Sequence, residues 1–308
     1  MHPAWSTSLA DAVLFFDDAS AQLAAVAGGK GASLSRLAAA GLPVPPGFVI
    51  VAGAFQEFLD SCGALGVIQR LTKDLDVEDS GAVDRAAGAI QELIIAAPLP
   101  SPLMHHISAA YTRLVNNTLV AVRSSAVSED GAAASFAGQQ ETYLNVRGLD
   151  AVLRHVQECW ASFFSPRALF YRARKGVLSD TRMAVVVQEM VVADKSGVMF
   201  TVDPIRNRYE CLVIEGAAGL GDAIVSGEIT PDHYVVLRED GSIVEQYIPE
   251  DDGSPVLTTN ELQQLRVLGL RLEQFFGSPQ DVEWCIRAEN VLLLQSRPIT
   301  TLTTTGRG

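Results

Sequence analysis

Along the chain the apolar positions change their spacing, and with it the kind of element they predict. Over residues 32–40, Leu34, Leu37 and Ala38 recur at helical spacing, and "GLPVPPG" ends that helix because Pro43, Pro45 and Pro46 cannot continue it. "FVIVAGAF" predicts a strand leading into another helix. Residues 52–117 are predicted mostly helical, with an irregular break forced by Pro98, Pro100 and Pro102. A short strand through Val120 and Val122 then enters a Ser-, Ala- and Gly-rich loop and leaves through "ETYLNV". After a helical stretch over 150–174 the pattern turns to that of strands: "MAVVVQEMVV", "SGVMFTVDP", "CLVIEGA", "HYVVLR" and a terminal hairpin. The boundary between two lobes is expected near 181–188, giving domains 1–184 and 185–308.

The hairpin "DVEWCIRAENVLLLQSRPI" can be given a register. A three-residue loop, Ala288 to Asn290, suits a type I turn followed by a left-handed residue, a role Asn tolerates. It pairs Trp284 with Leu294 and Ile286 with Leu292 on an apolar face, and sets Glu283 opposite Gln295 and Asp281 opposite Arg297 on the other. A two-residue loop would pair Val282 with Gln295 and Trp284 with Leu293 and mix the faces, so the longer loop is expected. The polar face is either simply solvated or suited to a magnesium-bound polyphosphate. Magnesium takes hard oxygen ligands, and guanidinium meets phosphate in a bidentate way.

Composition narrows the partners. With 308 residues, 48 % hydrophobic and 19 % charged, the chain can build a sizeable core in one large domain or two lobes. A net charge of -13 argues against the whole surface binding nucleic acid or an anionic membrane, so an anionic ligand must meet a few concentrated basic groups. Cys62, Cys159, Cys211 and Cys285 are far apart and form no CxxC pair, which argues against a disulfide framework or zinc site and for a cytoplasmic setting. The start "MHPAWSTSLADAVLFFDD" has no basic n-region, and no apolar run reaches the ~20 residues of a membrane helix, so neither signal peptide nor membrane span is expected.

Four stretches carry candidate chemistry. "GGKGASLSRL" (28–37) places Lys30 between glycines before a helix, but it fails the G-x-x-x-x-G-K-[ST] phosphate loop twice: Ala24 stands for the first Gly and Gly31 for the Ser or Thr. On its own it reads more readily as a turn before a helix than as a ligand. Arg123 opens "RSSAVSEDGAAASFAGQ", whose small residues let backbone N–H groups close on an anion, or simply form a surface loop. "VVVQEMVVADKSG" is a core strand whose polar end, Gln188 to Met190, can offer backbone groups to a purine edge. "EGAAGLGDAIVSGEITPD" (215–232) holds four glycines where backbone and ligand can approach closely.

The order of these stretches carries more than any one of them. "GGKGASLSRLAAAGLPVPPGFVI", "VRSSAVSEDGAAASFAGQQETYLNV", "QEMV", "SGVMFTVDP", "GLGDAIVSGEITPD" and "DVEWCI…LLLQSRPIT" resemble the successive motifs of the ATP-binding domain of the phosphoenolpyruvate synthase, pyruvate phosphate dikinase and rifampin phosphotransferase family, over residues 20–300. The resemblance implies an α+β ATP-grasp fold, two lobes with ATP in the cleft between them. Carried over by motif, Lys30 and Arg123 bind the phosphates, and Ser135, Phe136, Ala137 and Gly138 cover them. Gln188, Glu189 and Met190 form the adenine hinge, and Glu215 joins the nucleotide-binding set. Glu283 and Gln295 hold Mg2+, and Arg297 neutralises the transferring phosphate.

The resemblance further implies an ATP-dependent phosphotransferase that splits ATP into AMP and phosphate through a histidine on a mobile domain. Two departures stand out: "GLGD" replaces the usual "GLGE" at Asp222, and "GAAASFAG" lacks the usual Pro-Asp. None of His2, His105, His106, His155 and His233 has the Ser- or Cys-His-Ala setting of the phosphocarrier histidine, and the chain ends where the family's linker starts. A separate histidine phosphocarrier and acceptor-binding domain or protein is therefore the expected partner. A kinase acting directly on a small molecule and a non-catalytic nucleotide-binding module are the alternatives.

Overall fold

In the computed structural model, which describes residues 12–114, 119–127, 141–174, 181–219, 227, 229–249, 253–300 and 302, the most apolar runs become central strands. The chain divides into two units: Met1–Ala40 with Pro46–Met190, and Gly41–Pro45 with Val191–Gly308. Helices and antiparallel strands occur in both, in keeping with the α+β expectation.

The first unit runs β1 (Val13–Phe15), α1 (Ala24–Ala39), β2 (Gly47–Ile50), α2 (Ala52–Ser61), α3 (Ala64–Thr72), α4 (Ser80–Ala96), α5 (Ser101–Leu114), β3 (Val120–Ala126), β4 (Thr142–Val146), α6 (Leu149–Ser162), α7 (Pro166–Arg174) and β5 (Met183–Glu189). Its sheet has the order β1-β2-β5-β3-β4. β5 lies at the centre, paired to β2 and β3, and residues Met183 to Gln188 are all buried, as its unbroken apolar sequence demands. The division therefore falls after Met190, and β5 belongs whole to the first unit rather than being cut at 184/185. The core of this unit is anchored by the buried Trp160 of α6, whose ring stacks on Phe55 and Phe58 of α2 with centroids 5.1 Å away in both cases.

The second unit runs β6 (Lys195–Phe200), β7 (Cys211–Ala218), β8 (Asp232–Leu237), β9 (Ile243–Tyr247), α8 (Thr259–Phe276), β10 (Gln280–Arg287) and β11 (Asn290–Pro298), with sheet order β11-β10-β6-β7-β8-β9. α8 lies in the half whose pattern reads as rich in strands, in a stretch for which no element was predicted. Its start is fixed by a capping box, in which Thr258 Oγ1 accepts from the Glu261 N–H and the Glu261 carboxylate accepts from the Thr258 N–H; its end is fixed by Gly277 at φ 72°. The Glu261 carboxylate also receives Lys195 Nζ at 2.7 Å on both oxygens.

The terminal hairpin combines the two registers weighed from the sequence. The loop has two residues, Ala288 and Glu289, both at positive φ (47° and 67°), the geometry of a type I′ turn that matches strand twist. Ile286 faces Val291 and Trp284 faces Leu293, so the expected Trp284–Leu294 and Ile286–Leu292 pairs do not form. A bulge between Glu283 and Trp284 then leaves Leu294 as the extra residue, and below it Glu283 faces Gln295 and Asp281 faces Arg297, as expected.

Candidate functional site

The Lys30 segment is a broken helix rather than a turn before one. α1 begins at Ala24, and only Gly28 leaves helical geometry, at φ 67° and ψ 176°. That conformation is open to Gly at no steric cost, and the space is also lacking: a Cβ on Gly28 would lie 2.2 Å from the Ser125 carbonyl oxygen on β3. Ser125 fastens both sides of the break. Its hydroxyl donates to the Ala27 carbonyl at 2.9 Å and accepts from the Gly31 N–H at 3.1 Å. Gly31 in turn lies against Val49 of β2, where an added Cβ would come within 3.1 Å.

Lys30 is thus held between two glycines pressed on the sheet. Arg123 stands two residues before Ser125 on β3, so it shares the sheet face that receives α1. Ser125 is fully buried and missing from the sequence-derived set; its signal was the "RSSA" run directly after Arg123. Ser125→Ala is expected to cost about 1–3 kcal/mol, because it strips a buried N–H and a buried carbonyl of their partner at once. Thermal denaturation checks this, and an unshifted transition would show the fastening to be dispensable.

At the end of β5, Gln188 is buried while Glu189 and Met190 are partly exposed. The Glu189 N–H donates to the Pro46 carbonyl and the Met190 N–H to the Leu119 carbonyl, each at 2.9 Å. Those two donors are therefore already engaged, which removes them from the set expected to meet a purine. The carbonyl of Glu189 differs, because Pro46 has no N–H with which to complete the reciprocal ladder bond.

The second unit carries the other predicted residues on one face. Strand pairing sets Gln295 beside Glu283, Glu283 beside Val198, Val198 beside Glu215 and Glu215 beside His233, so five consecutive strands contribute one row. The neighbouring row runs Arg297, Asp281, Phe200, Val213 and Val235. Phe200, Val213 and Val235 belong to one apolar cluster, which gives that face a dry floor beside its charged end.

Arg297 Nε and Nη2 reach Asp281 Oδ2 at 2.8 and 2.7 Å. Burial raises the Asp281 carboxyl above the ordinary carboxylate range; Arg297 offsets part of this and the Glu283 charge adds to it. His233 Nδ1 lies 3.0 Å from Glu215 Oε1. His233 in the first row and Asp281 in the neighbouring one were not assigned a site role from the sequence. Asp281 was legible from the D-x-E and Q-x-R spacing of the hairpin, but His233 had no local signal.

Among the described residues no group of three or more His, Cys, Asp or Glu is arranged to hold a metal. Magnesium does not require one, since it keeps waters and substrate oxygens beside one or two protein ligands. The opposed carboxylate of Glu283 and amide of Gln295 fit that habit. The predicted Ser135, Phe136, Ala137, Gly138 and Asp222 lie outside the described residues. No helix among the described residues is long and apolar enough to cross a membrane.

The family model of the pyruvate phosphate dikinase AMP/ATP-binding domain matches residues 24–254 and 244–307. Two probable phosphoenolpyruvate synthases align with 94 % of the chain: one from Methanocaldococcus jannaschii, 41 % identical with 27 % of its own length covered, and one from Methanothermobacter thermautotrophicus, 42 % identical with 46 % covered. A rifampicin phosphotransferase from Streptomyces is 40 % identical over 94 % of the chain and 36 % of its own length. The chain thus spans between about a quarter and a half of these relatives. Matched along almost its whole length, it belongs to the pyruvate phosphate dikinase AMP/ATP-binding domain family.

Proposed function

We propose that the chain binds magnesium-ATP in the ATP-grasp manner and prepares its phosphates for transfer. The observation that carries this reading is the single sheet face that sets Glu283 opposite Gln295 with the Arg297–Asp281 pair one step along. Phosphoryl transfer needs charge neutralisation and alignment more than covalent help, and these groups supply both. Lys30 and Arg123 bind phosphate oxygens, and Arg297, oriented by Asp281, meets the transferring group. The Glu189 carbonyl accepts the adenine amine, within the hinge Gln188 to Met190. The segment Ser135 to Gly138 covers the phosphates, on the strength of the family resemblance. Glu283 and Gln295 would hold a magnesium ion, which would neutralise further phosphate charge.

The chemistry finishes elsewhere. We assign the phosphoryl acceptor to a histidine on a separate phosphocarrier domain or chain, with AMP and phosphate as eventual products, in line with relatives much longer than this chain. Product analysis tests it. AMP and phosphate formed only when a histidine-bearing partner is added support the relay. ADP formed with a small acceptor alone would replace it by direct transfer, and tight ATP binding without turnover in either case would make the chain a regulatory module.

Glu283→Gln is expected to raise the magnesium concentration for half-maximal activity about tenfold, because an amide oxygen is a weaker ligand than a carboxylate. An unchanged magnesium titration would remove the hairpin from the metal site.

A further inference from the structure

We infer that His233 is a positioning residue for ribose recognition, acting through Glu215; this rests on the magnesium-ATP reading above. Adjacent strands stand about 4.8 Å apart, so Glu215, two strands from Glu283, is about 10 Å from it along the row, and His233 about 14 Å. If Glu283 and Gln295 hold the metal and phosphates, His233 would be too far along the row to receive a phosphoryl group in line. Glu215 instead stands where the sugar of an extended nucleotide falls. Val198 separates it from Glu283 and offers no competing polar group.

The chemistry of the pair suits a vicinal diol. An ionised carboxylate only accepts hydrogen bonds, and two hydroxyls are two donors. Because the carboxylate cannot donate, the proton of their 3.0 Å contact sits on His233 Nδ1, which fixes the tautomer of the ring and the direction of the Glu215 side chain. The two side chains retain 33 % and 30 % exposure, enough for a ligand to reach them. A polar contact that exposed contributes little stability, so its effect should appear in recognition.

The test compares binding of ATP and 3′-deoxy-ATP to the whole chain. We expect the unaltered chain to favour ATP about tenfold, the worth of a hydrogen bond to a charged acceptor. His233→Ala should remove most of that preference while changing the affinity for 3′-deoxy-ATP by no more than about twofold. His233→Asn, whose amide can still donate towards Glu215, should restore part of it. Equal weakening of both nucleotides, or an unmoved preference in both variants, would overturn the role of the pair while leaving the magnesium-ATP reading standing. Failure of the unaltered chain to bind ATP at all would overturn that reading and this inference together.

Discussion

Lys30→Ala and Arg297→Ala should each lower ATP turnover by about 10³-fold or more, the scale found when a group that neutralises phosphoryl charge is removed. Neither substitution should unfold the protein. The Arg297 side chain is 54 % exposed, and the Asp281 carboxyl, already raised by burial, can take up a proton when its partner is lost instead of remaining a buried charge. The clamp around Lys30 is made by Gly28, Gly31 and Ser125 rather than by the lysine itself. Arg297→Lys should recover only part of the loss, since an ammonium keeps the charge but not the fork that spans phosphate oxygens. Turnover is to be measured beside a thermal scan of each variant. Full activity in both alanine variants would sink the assignment, and a lost thermal transition would turn the result into one about folding.

Gly197→Ala should be the most damaging single-methyl change in the second unit. Gly197 of β6 faces Gly216 of β7, and the buried Trp284 ring lies over both. A Cβ at Gly197 would stand 1.9 Å from the Glu215 carbonyl oxygen and 2.5 Å from the indole, neither of which can swing aside. Overpacking of this kind costs about 3 kcal/mol or more when backbone must move. The displaced strand is the one that carries Glu215, so ATP affinity should fall with stability. At Gly216 the nearest atom to an added Cβ is 3.1 Å away, and the alanine variant should be milder. Urea denaturation followed by tryptophan fluorescence orders the two; an unshifted midpoint for Gly197→Ala would refute the account of the glycine pair.

Much of this was legible in the residues, and the failures have identifiable physics. The core strands were found because "GFVI" and "MAVVVQE" are apolar without alternation, the mark of burial on both faces. α8 was left unread although "TTNE" spells its capping box and "FFG" its glycine stop. The Gly-Lys stretch looked like a turn because glycines weaken any helix; that only Gly28 would break the helix depends on Ser125, almost a hundred residues away. His233 was invisible for the same reason, since a cross-strand neighbour has no fixed spacing along the chain. The polar pairs of the hairpin were correctly placed through an incorrect loop, because one bulge residue offset one missing loop residue.

That offset has a meaning of its own. The outer half of the hairpin keeps time with its turn, and the inner half keeps time with the polar row, with Leu294 acting as a phase shifter between two clocks. The turn is thereby insulated from the chemistry. A residue gained or lost at Ala288–Glu289 can be absorbed by adding or dropping the bulge, so the tip is free to drift in length over evolution while Glu283 and Gln295 stay face to face.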